Sequence, residues 1–275
     1  MRGLRGALAG ALAATSLAGC GGEYVGEERS AQGVWCSDGV TAAIVTQRYD
    51  IYEGFLFEGA DARHYENWRH QLWLWSADGG PRRIVGEREG KAVVGYCMSA
   101  AGYVKVYREY EGCEVRSLSG DLLASRGDSH ECDATPSPDG AFMAAYEHTW
   151  VSGTSLLRDL SVQFIDPRTL EQVGPSQGPV RLPADGSKLL GGSAWTPDGG
   201  FVWLAPDHLD PIFRPGEPLS WGSFPCDDER VLRTSSSDVS ADGVELDVDA
   251  AGDGTPRVIL TEADQLPYPH PCLVE

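Results

Sequence analysis

A short turn motif recurs along this chain, and it restricts the fold more than any other sequence feature. Ser137-Pro138-Asp139-Gly140 precedes the apolar run Ala141 to Tyr146, and Thr196-Pro197-Asp198-Gly199 precedes Gly200 to Leu204. Ser240-Ala241-Asp242-Gly243 precedes Val244-Glu245-Leu246-Asp247-Val248, where apolar and acidic residues alternate with a strand's period of two. Ser99-Ala100-Ala101-Gly102 before Tyr103 to Tyr107, and Ser37-Asp38-Gly39 before Val40 to Ile44, fit the same template with losses. Proline presets φ, aspartate bonds back to nearby N–H groups, and glycine accepts the positive φ that closes a tight turn. Each copy therefore predicts strand, turn, strand. The glycines at 39, 102, 140, 199 and 243 lie 63, 38, 59 and 44 residues apart. A four-stranded propeller blade takes roughly 40 to 50 residues, so the intervals match one blade plus variable loops.

Two further segments carry the same rhythm. His70 to Val85 reads as a strand, the Gly-rich turn Asp78-Gly79-Gly80 and a second strand, and Leu160 to Leu170 has the same shape with Asp166-Pro167 as its turn. With the Pro-Asp-Gly turns, these segments resemble TolB-like (WD-repeat-like) β-propeller repeats, spread from about residue 34 to about residue 262. The resemblance implies an all-β propeller of five or six irregular four-stranded blades around a channel, an architecture used for protein contacts. A two-sheet β-sandwich also needs many short strands, but it does not predict a repeating turn at blade intervals. Long amphipathic helices are not expected, because 34 Gly and 17 Pro punctuate the chain. The tryptophans at 35, 73, 75, 150, 195, 203 and 221 fall in or beside predicted strands and are expected to pack between sheets.

The amino terminus predicts an address. Arg2 and Arg5 precede an 11-residue apolar stretch, Ala7 to Leu17, which runs into Leu17-Ala18-Gly19-Cys20. That stretch is too short to span a bilayer, which takes roughly 20 residues, and its layout is that of a secretory signal. The Leu-Ala-Gly-Cys run resembles the bacterial lipoprotein lipobox. The resemblance implies a signal peptide over 1–19, acylation of Cys20 with fatty acids of the palmitate kind, and a membrane anchor through that lipid. Gly21 stands where an inner-membrane retention signal would carry aspartate, so the outer membrane is favoured in a diderm host. Residues 20–33, rich in Gly and charge, read as a lipidated tether, and 34–275 as the propeller domain.

Removal of 1–19 leaves 20 basic and 41 acidic residues, a net charge of 20 − 41 = −21. Nucleic acid is excluded as a partner, since its binding needs clustered Lys and Arg. Setting Cys20 aside leaves six cysteines: Cys36, Cys97, Cys113, Cys132, Cys226 and Cys272. An even number in an exported chain predicts disulfides, with 15 connectivities open. A bridge from Cys272 would staple the C-terminal tail.

No catalytic constellation is found. Gly-x-Ser-x-Gly, His-Glu-x-x-His and a phosphate loop before a helix are missing. His64 and His70 lie in a polar stretch read as a loop, and His130-Glu131-Cys132-Asp133 crowds four ligand types without metal-site spacing. Asp247 to Gly254 has glycine at the sixth place of a calcium loop but Ala251 at the fifth and Val258 at the twelfth, so a hairpin loop is expected. No cofactor and no metal site are assigned. The expected function is a non-enzymatic binding or scaffold module of the bacterial cell envelope, with another envelope protein or a polymer as partner. The alternative is a propeller-type hydrolase acting on glycans through carboxylates at the channel mouth.

Overall fold

The computed structural model describes residues 22–54, 63–127, 130–151, 157–183, 193–203, 209–223, 244–248 and 253–260. It is all-β, with no α-helix among the described residues. Four antiparallel sheets follow one another along the chain, each built mainly by neighbouring strands folding back on one another. The first holds β1 (Glu23–Trp35), β2 (Thr41–Glu53), β3 (Arg63–Ser76) and β4 (Gly80–Glu89). The second holds β5 (Ala92–Met98), β6 (Tyr103–Arg108), β7 (Gly112–Ser117) and β8 (Leu122–Arg126). The third runs through β9 (Thr135–Pro136), β10 (Met143–Trp150), β11 (Leu157–Asp166) and β12 (Glu171–Gln172), with β13 (Gln177–Pro183) also paired to β11. The fourth holds β14 (Ser193–Trp195), β15 (Phe201–Trp203), β16 (Asp210–Phe213) and β17 (Ser220–Gly222). A hairpin of β18 (Val244–Val248) and β19 (Pro256–Leu260) follows.

Four of the five turn copies are described, and all four join the first and second strands of their sheets. Gly39, Gly102, Gly140 and Gly199 all have φ between 69° and 82°. Their amides donate to Cys36, Ser99, Ser137 and Thr196 carbonyls at 2.9, 3.2, 2.8 and 2.9 Å. Asp38 and Asp139 each accept from the N–H two residues on, at 3.0 Å. Asp139 is held below the usual carboxylate range by the Ser137 hydroxyl and the Ala141 amide, and Asp198 by the Thr196 hydroxyl. The fifth copy, Ser240 to Gly243, lies outside the described residues.

The sheets bury their faces on one another in chain order. Val34, Val45 and Leu72 of the first sheet pack on Val94, Val104 and Val106 of the second. The other face of the second sheet, Tyr103 and Val115, packs on Met143, Ala145 and Ile165 of the third. Ala144, Val162 and Phe164, on the third sheet's far side, pack on Trp195, Phe201 and Phe213 of the fourth. Residues 144 and 145 therefore serve different interfaces, as the alternation of strand side chains requires. The remaining face of the first sheet, Ala42, Ile44 and Trp73, is covered in part by Val258 of the hairpin. Burial on both faces explains why Ala42 to Gln47 and Tyr103 to Val106 are buried without interruption.

Two disulfides link separate elements of the fold. Cys36, at the end of β1, pairs with Cys97 of β5, and Cys113 of β7 pairs with Cys132 in the 3-10 turn His130–Asp133 that leads into the third sheet. Cys20, Cys226 and Cys272 lie outside the described residues.

Two expectations are corrected. Most of the stretch read as a tether is strand, since β1 begins at Glu23 and pairs with β2 from Glu23↔Glu53 to Trp35↔Ala42. Its outer half is largely exposed, so no apolar period marks it, and the backbone ladder holds it together with surface contacts such as Tyr24 against Tyr52. The polar stretch around His64 and His70 is β3, not a loop. His70 is buried with Nδ1 2.8 Å from the Gly90 carbonyl, and burial lowers its pKa.

The turn glycines differ in a testable way. A Cβ on Gly140 would stand 2.6 Å from Ala101 Cβ, in the preceding turn copy, whereas one on Gly39 would meet nothing within 4 Å. Gly39→Ala is expected to cost about 1 kcal/mol, the left-handed penalty alone. Gly140→Ala adds overpacking and is expected to cost about 2–4 kcal/mol. Urea melts of both variants test this, and equal losses would contradict it.

Candidate binding site on the projecting first sheet

The strands of the first sheet outrun their neighbours. β1, β2 and β3 have 13, 13 and 14 residues, whereas β5, β6 and β7 have 7, 6 and 6. At roughly 3.3 Å per residue, the first sheet extends about 20 Å past the second. Its lower half buries Val45 and Leu72 on the second sheet. The same face continues upward as Tyr49, Trp68 and Tyr65, with no sheet across it among the described residues. An irregularity in the β2–β3 register lies between Arg48 and Asp50, opposite Asn67 with φ 52°. This extra residue in β3 lets Trp68 and Tyr65, three apart, share a face.

The three rings form one cluster. Tyr49 lies 4.1 Å from Trp68 and 5.3 Å from Tyr65, centroid to centroid, the latter edge to face. The Trp68 Nε1–H donates to the Tyr65 carbonyl at 3.2 Å, and the Tyr49 hydroxyl donates to Glu28 at 3.2 Å. Burial and the Glu28 carboxylate raise the Tyr49 pKa, so the phenol stays a donor. Lys91 Nζ sits 5.1 Å above the Trp68 ring and 3.5 Å from the Glu109 carboxylate. Beneath the cluster, Asn67, Trp68, Glu89, Lys91, Glu109 and Tyr110 line a groove at the junction of the two sheets. Tyr65 is 42% exposed, and Tyr110, at φ 61°, is 92% exposed.

An aromatic face with a polar rim is the composition of a protein–protein contact, where Trp, Tyr and Arg supply most of the affinity. None of these aromatic residues stood out in the sequence. The available signal was the tyrosine and tryptophan content of Tyr49 to Trp68, but alternation is broken by the extra residue at Asn67. The cysteines fared differently, since the structure joins four of them in pairs that link separate elements. His130-Glu131-Cys132-Asp133 lies in a 3-10 turn with Cys132 committed to a disulfide. Of the Asp247 to Gly254 stretch, residues 249–252 lie outside the described residues; at its far end the Asp253 carboxylate accepts from the Thr255 amide at 3.2 Å. Among the described residues, no group of three His, Cys, Asp or Glu is placed to hold a metal ion.

No protein-family model matches the chain, and no curated protein matches it.

Proposed function

We propose that this protein is a lipid-anchored, five-bladed β-propeller that binds another envelope protein through the aromatic face of its projecting first sheet. The propeller reading is supported by sheets that pack on one another in chain order and by the hairpin's place in that order. β18 contacts β1 as β2 contacts β5. In the second pair, the second strand of one sheet meets the first strand of the next. The fifth turn copy immediately precedes β18 in sequence, so β18 and β19 take the places of second and third strands in a fifth sheet set against the first.

Lipidation of Cys20 gives the projection its setting. Glu23 follows by three residues, a reach of about 10 Å at full extension. The anchor then holds the projecting strands beside the bilayer, with the Asp-Gly turns at the far end of the molecule. A partner meeting the aromatic face is one already at the membrane surface. The observation that carries the reading is the run of Tyr49, Tyr65 and Trp68, which no described sheet covers, on a face that is core lower down.

The test is photo-crosslinking in cells from positions 65 and 110, with Leu122, an exposed residue of β8, as the comparison. One protein captured from both positions and not from 122, and lost in a folded Tyr49→Ser/Tyr65→Ser variant, is expected. Cys20→Ser should release the chain from the membrane fraction and reduce that capture. Identical capture from position 122, capture of glycan alone, or membrane retention of the Ser variant would overturn the corresponding part of the proposal.

A further inference from the structure

The opposite face of the same projection carries a row of cations in a strongly acidic chain. Arg29, Arg48 and Arg69 are direct cross-strand neighbours, paired Arg29↔Arg48 on β1 and β2 and Arg48↔Arg69 on β2 and β3. Like charges placed opposite one another on a sheet destabilise it, so the row calls for compensation. Glu27 provides part of it, 3.4 Å from Arg29 and 3.5 Å from Arg48. Glu87 provides the rest, 2.9 Å from Arg48 and 3.4 Å from Arg69. Arg48 thus bridges both carboxylates through its two terminal nitrogens.

The row forms one wall of a cavity of about 130 Å³, closed on the other side by Val248, Asp253 and Gly254 of the last hairpin. That exceeds by far the roughly 10–15 Å³ one water needs, so a small polyatomic ligand fits. Three polar groups on the walls have hydrogen-bonding capacity left over. Arg48 Nε is buried and makes no hydrogen bond among the described residues, and the same holds for Gln71 Oε1. The Gln71 amide is oriented by its Nε2, which donates to the Asp253 carbonyl at 3.3 Å. The Thr46 hydroxyl accepts from Trp73 Nε1 at 3.0 Å, which leaves its own proton to donate. The Asp253 carboxylate is turned to Thr255 and lies within the field of Arg83.

We infer that this cavity is a binding site for a small hydroxylated oxyanion. A carboxylate or phosphate oxygen accepts from the Arg48 Nε–H, a charge-assisted hydrogen bond of the kind guanidinium groups make with oxyanions. A hydroxyl on the same molecule donates to Gln71 Oε1 and accepts from Thr46. Uronic acids and hydrogen phosphate share this chemistry. The site depends neither on the aromatic face nor on a protein partner.

Titration calorimetry on the full-length chain in detergent, at constant ionic strength, tests the assignment with D-glucuronate and inorganic phosphate as probes and with D-glucose and chloride as controls. Saturable binding of either oxyanion is expected, with at least tenfold weaker affinity in Arg48→Gln, and Arg63→Gln should bind as wild type. Saturation by glucuronate alone points to a sugar acid, and by phosphate alone to a phosphorylated ligand. Should Arg48→Gln fail to fold, Gln71→Met and amide shifts at Thr46, Gln71 and Gly254 on titration give the same information. No saturable binding at millimolar probe, unchanged affinity in the folded variants, or shifts confined to other basic sites would overturn it.

Discussion

Lys105→Met is expected to stabilise the protein at neutral pH and to abolish a rise in stability between about pH 7 and pH 10. Lys105 sits on β6, wholly buried, on the side that faces the third sheet. Its Nζ donates to the Ala134 carbonyl at 3.0 Å and lies 5.1 and 5.8 Å from the ring centres of Tyr107 and Tyr96. Burial lowers its pKa to about 7, against a smaller opposing pull from Asp133. The folded value then lies below the ordinary 10.5, so between the two the unfolded chain binds more protons than the folded one. Stability therefore climbs with pH across that window, at up to about 1.4 kcal/mol per pH unit from this one group. Burial raises Tyr96 to about 12 and displaces Tyr103 and Tyr107 in the same direction. Above about pH 10 the unfolded chain loses phenolic protons that the folded chain keeps, and the climb reverses.

Methionine keeps the length of the side chain and carries no charge. Replacement of buried ionic groups by apolar residues of similar volume is often stabilising by 1–4 kcal/mol, and the lost bond to Ala134 subtracts about 1 kcal/mol. A gain of about 2 kcal/mol is expected at pH 6, and the difference should fall by about 4 kcal/mol by pH 10, where the native lysine becomes the more stable residue. Urea unfolding of both chains at half-unit steps from pH 6 to 10 measures it. A difference that does not change with pH would show that Lys105 is not the group responsible.

The second large effect is loss of the Cys36–Cys97 bridge. It joins residues 61 apart, against 19 for Cys113–Cys132. On the chain-entropy account, the longer loop is worth about 4 kcal/mol and the shorter about 3. The local geometry points the same way. The Ser37 amide donates to the Cys97 carbonyl at 2.9 Å, and the Ser37 and Ser99 hydroxyls meet at 3.1 Å, so the bridge locks the first turn copy onto the second. Cys36→Ser/Cys97→Ser is expected to lower Tm by roughly 8–16 °C, at 2–4 °C per kcal/mol for a chain of this size, and Cys113→Ser/Cys132→Ser by less. Domains carry only about 5–15 kcal/mol in all, so a thiol reductant acting on both bridges should unfold much of the population. Thermal melts with and without reductant test the ranking. An unchanged Tm in the first variant would mean that the backbone ladder and core hold the two sheets without the bridge.

Much of the strand order was legible because turns of this kind are local. Gly39, Gly102, Gly140 and Gly199 need only their own backbone and one nearby side chain to specify a bend, and the four described copies all fall between first and second strands. The β18–β19 hairpin was legible for the same reason, from the alternation of Val244 to Val248. β1 was not. Its outer half carries Glu23, Glu27, Glu28 and Arg29 with Gly26 among them, and its strand conformation rests on twelve cross-strand pairs with β2 that no local pattern announces. The aromatic cluster was hidden likewise, because an extra residue at Asn67 breaks the period that would have placed Tyr65 and Trp68 together.

The partnership of the cysteines illustrates the division most directly. Six cysteines in a chain read as exported predict disulfides, yet Cys36 and Cys97 meet only because β1 and β5 end side by side. The sequence by itself determined the all-β class, the positions of the tight bends and an acidic chain, since each follows from near-neighbour sterics or from composition. Tertiary structure alone decided which faces meet, which cysteines join and that three arginines stand in one row. Those outcomes depend on register between strands far apart in the chain, where a shift of one residue sends every side chain to the other face.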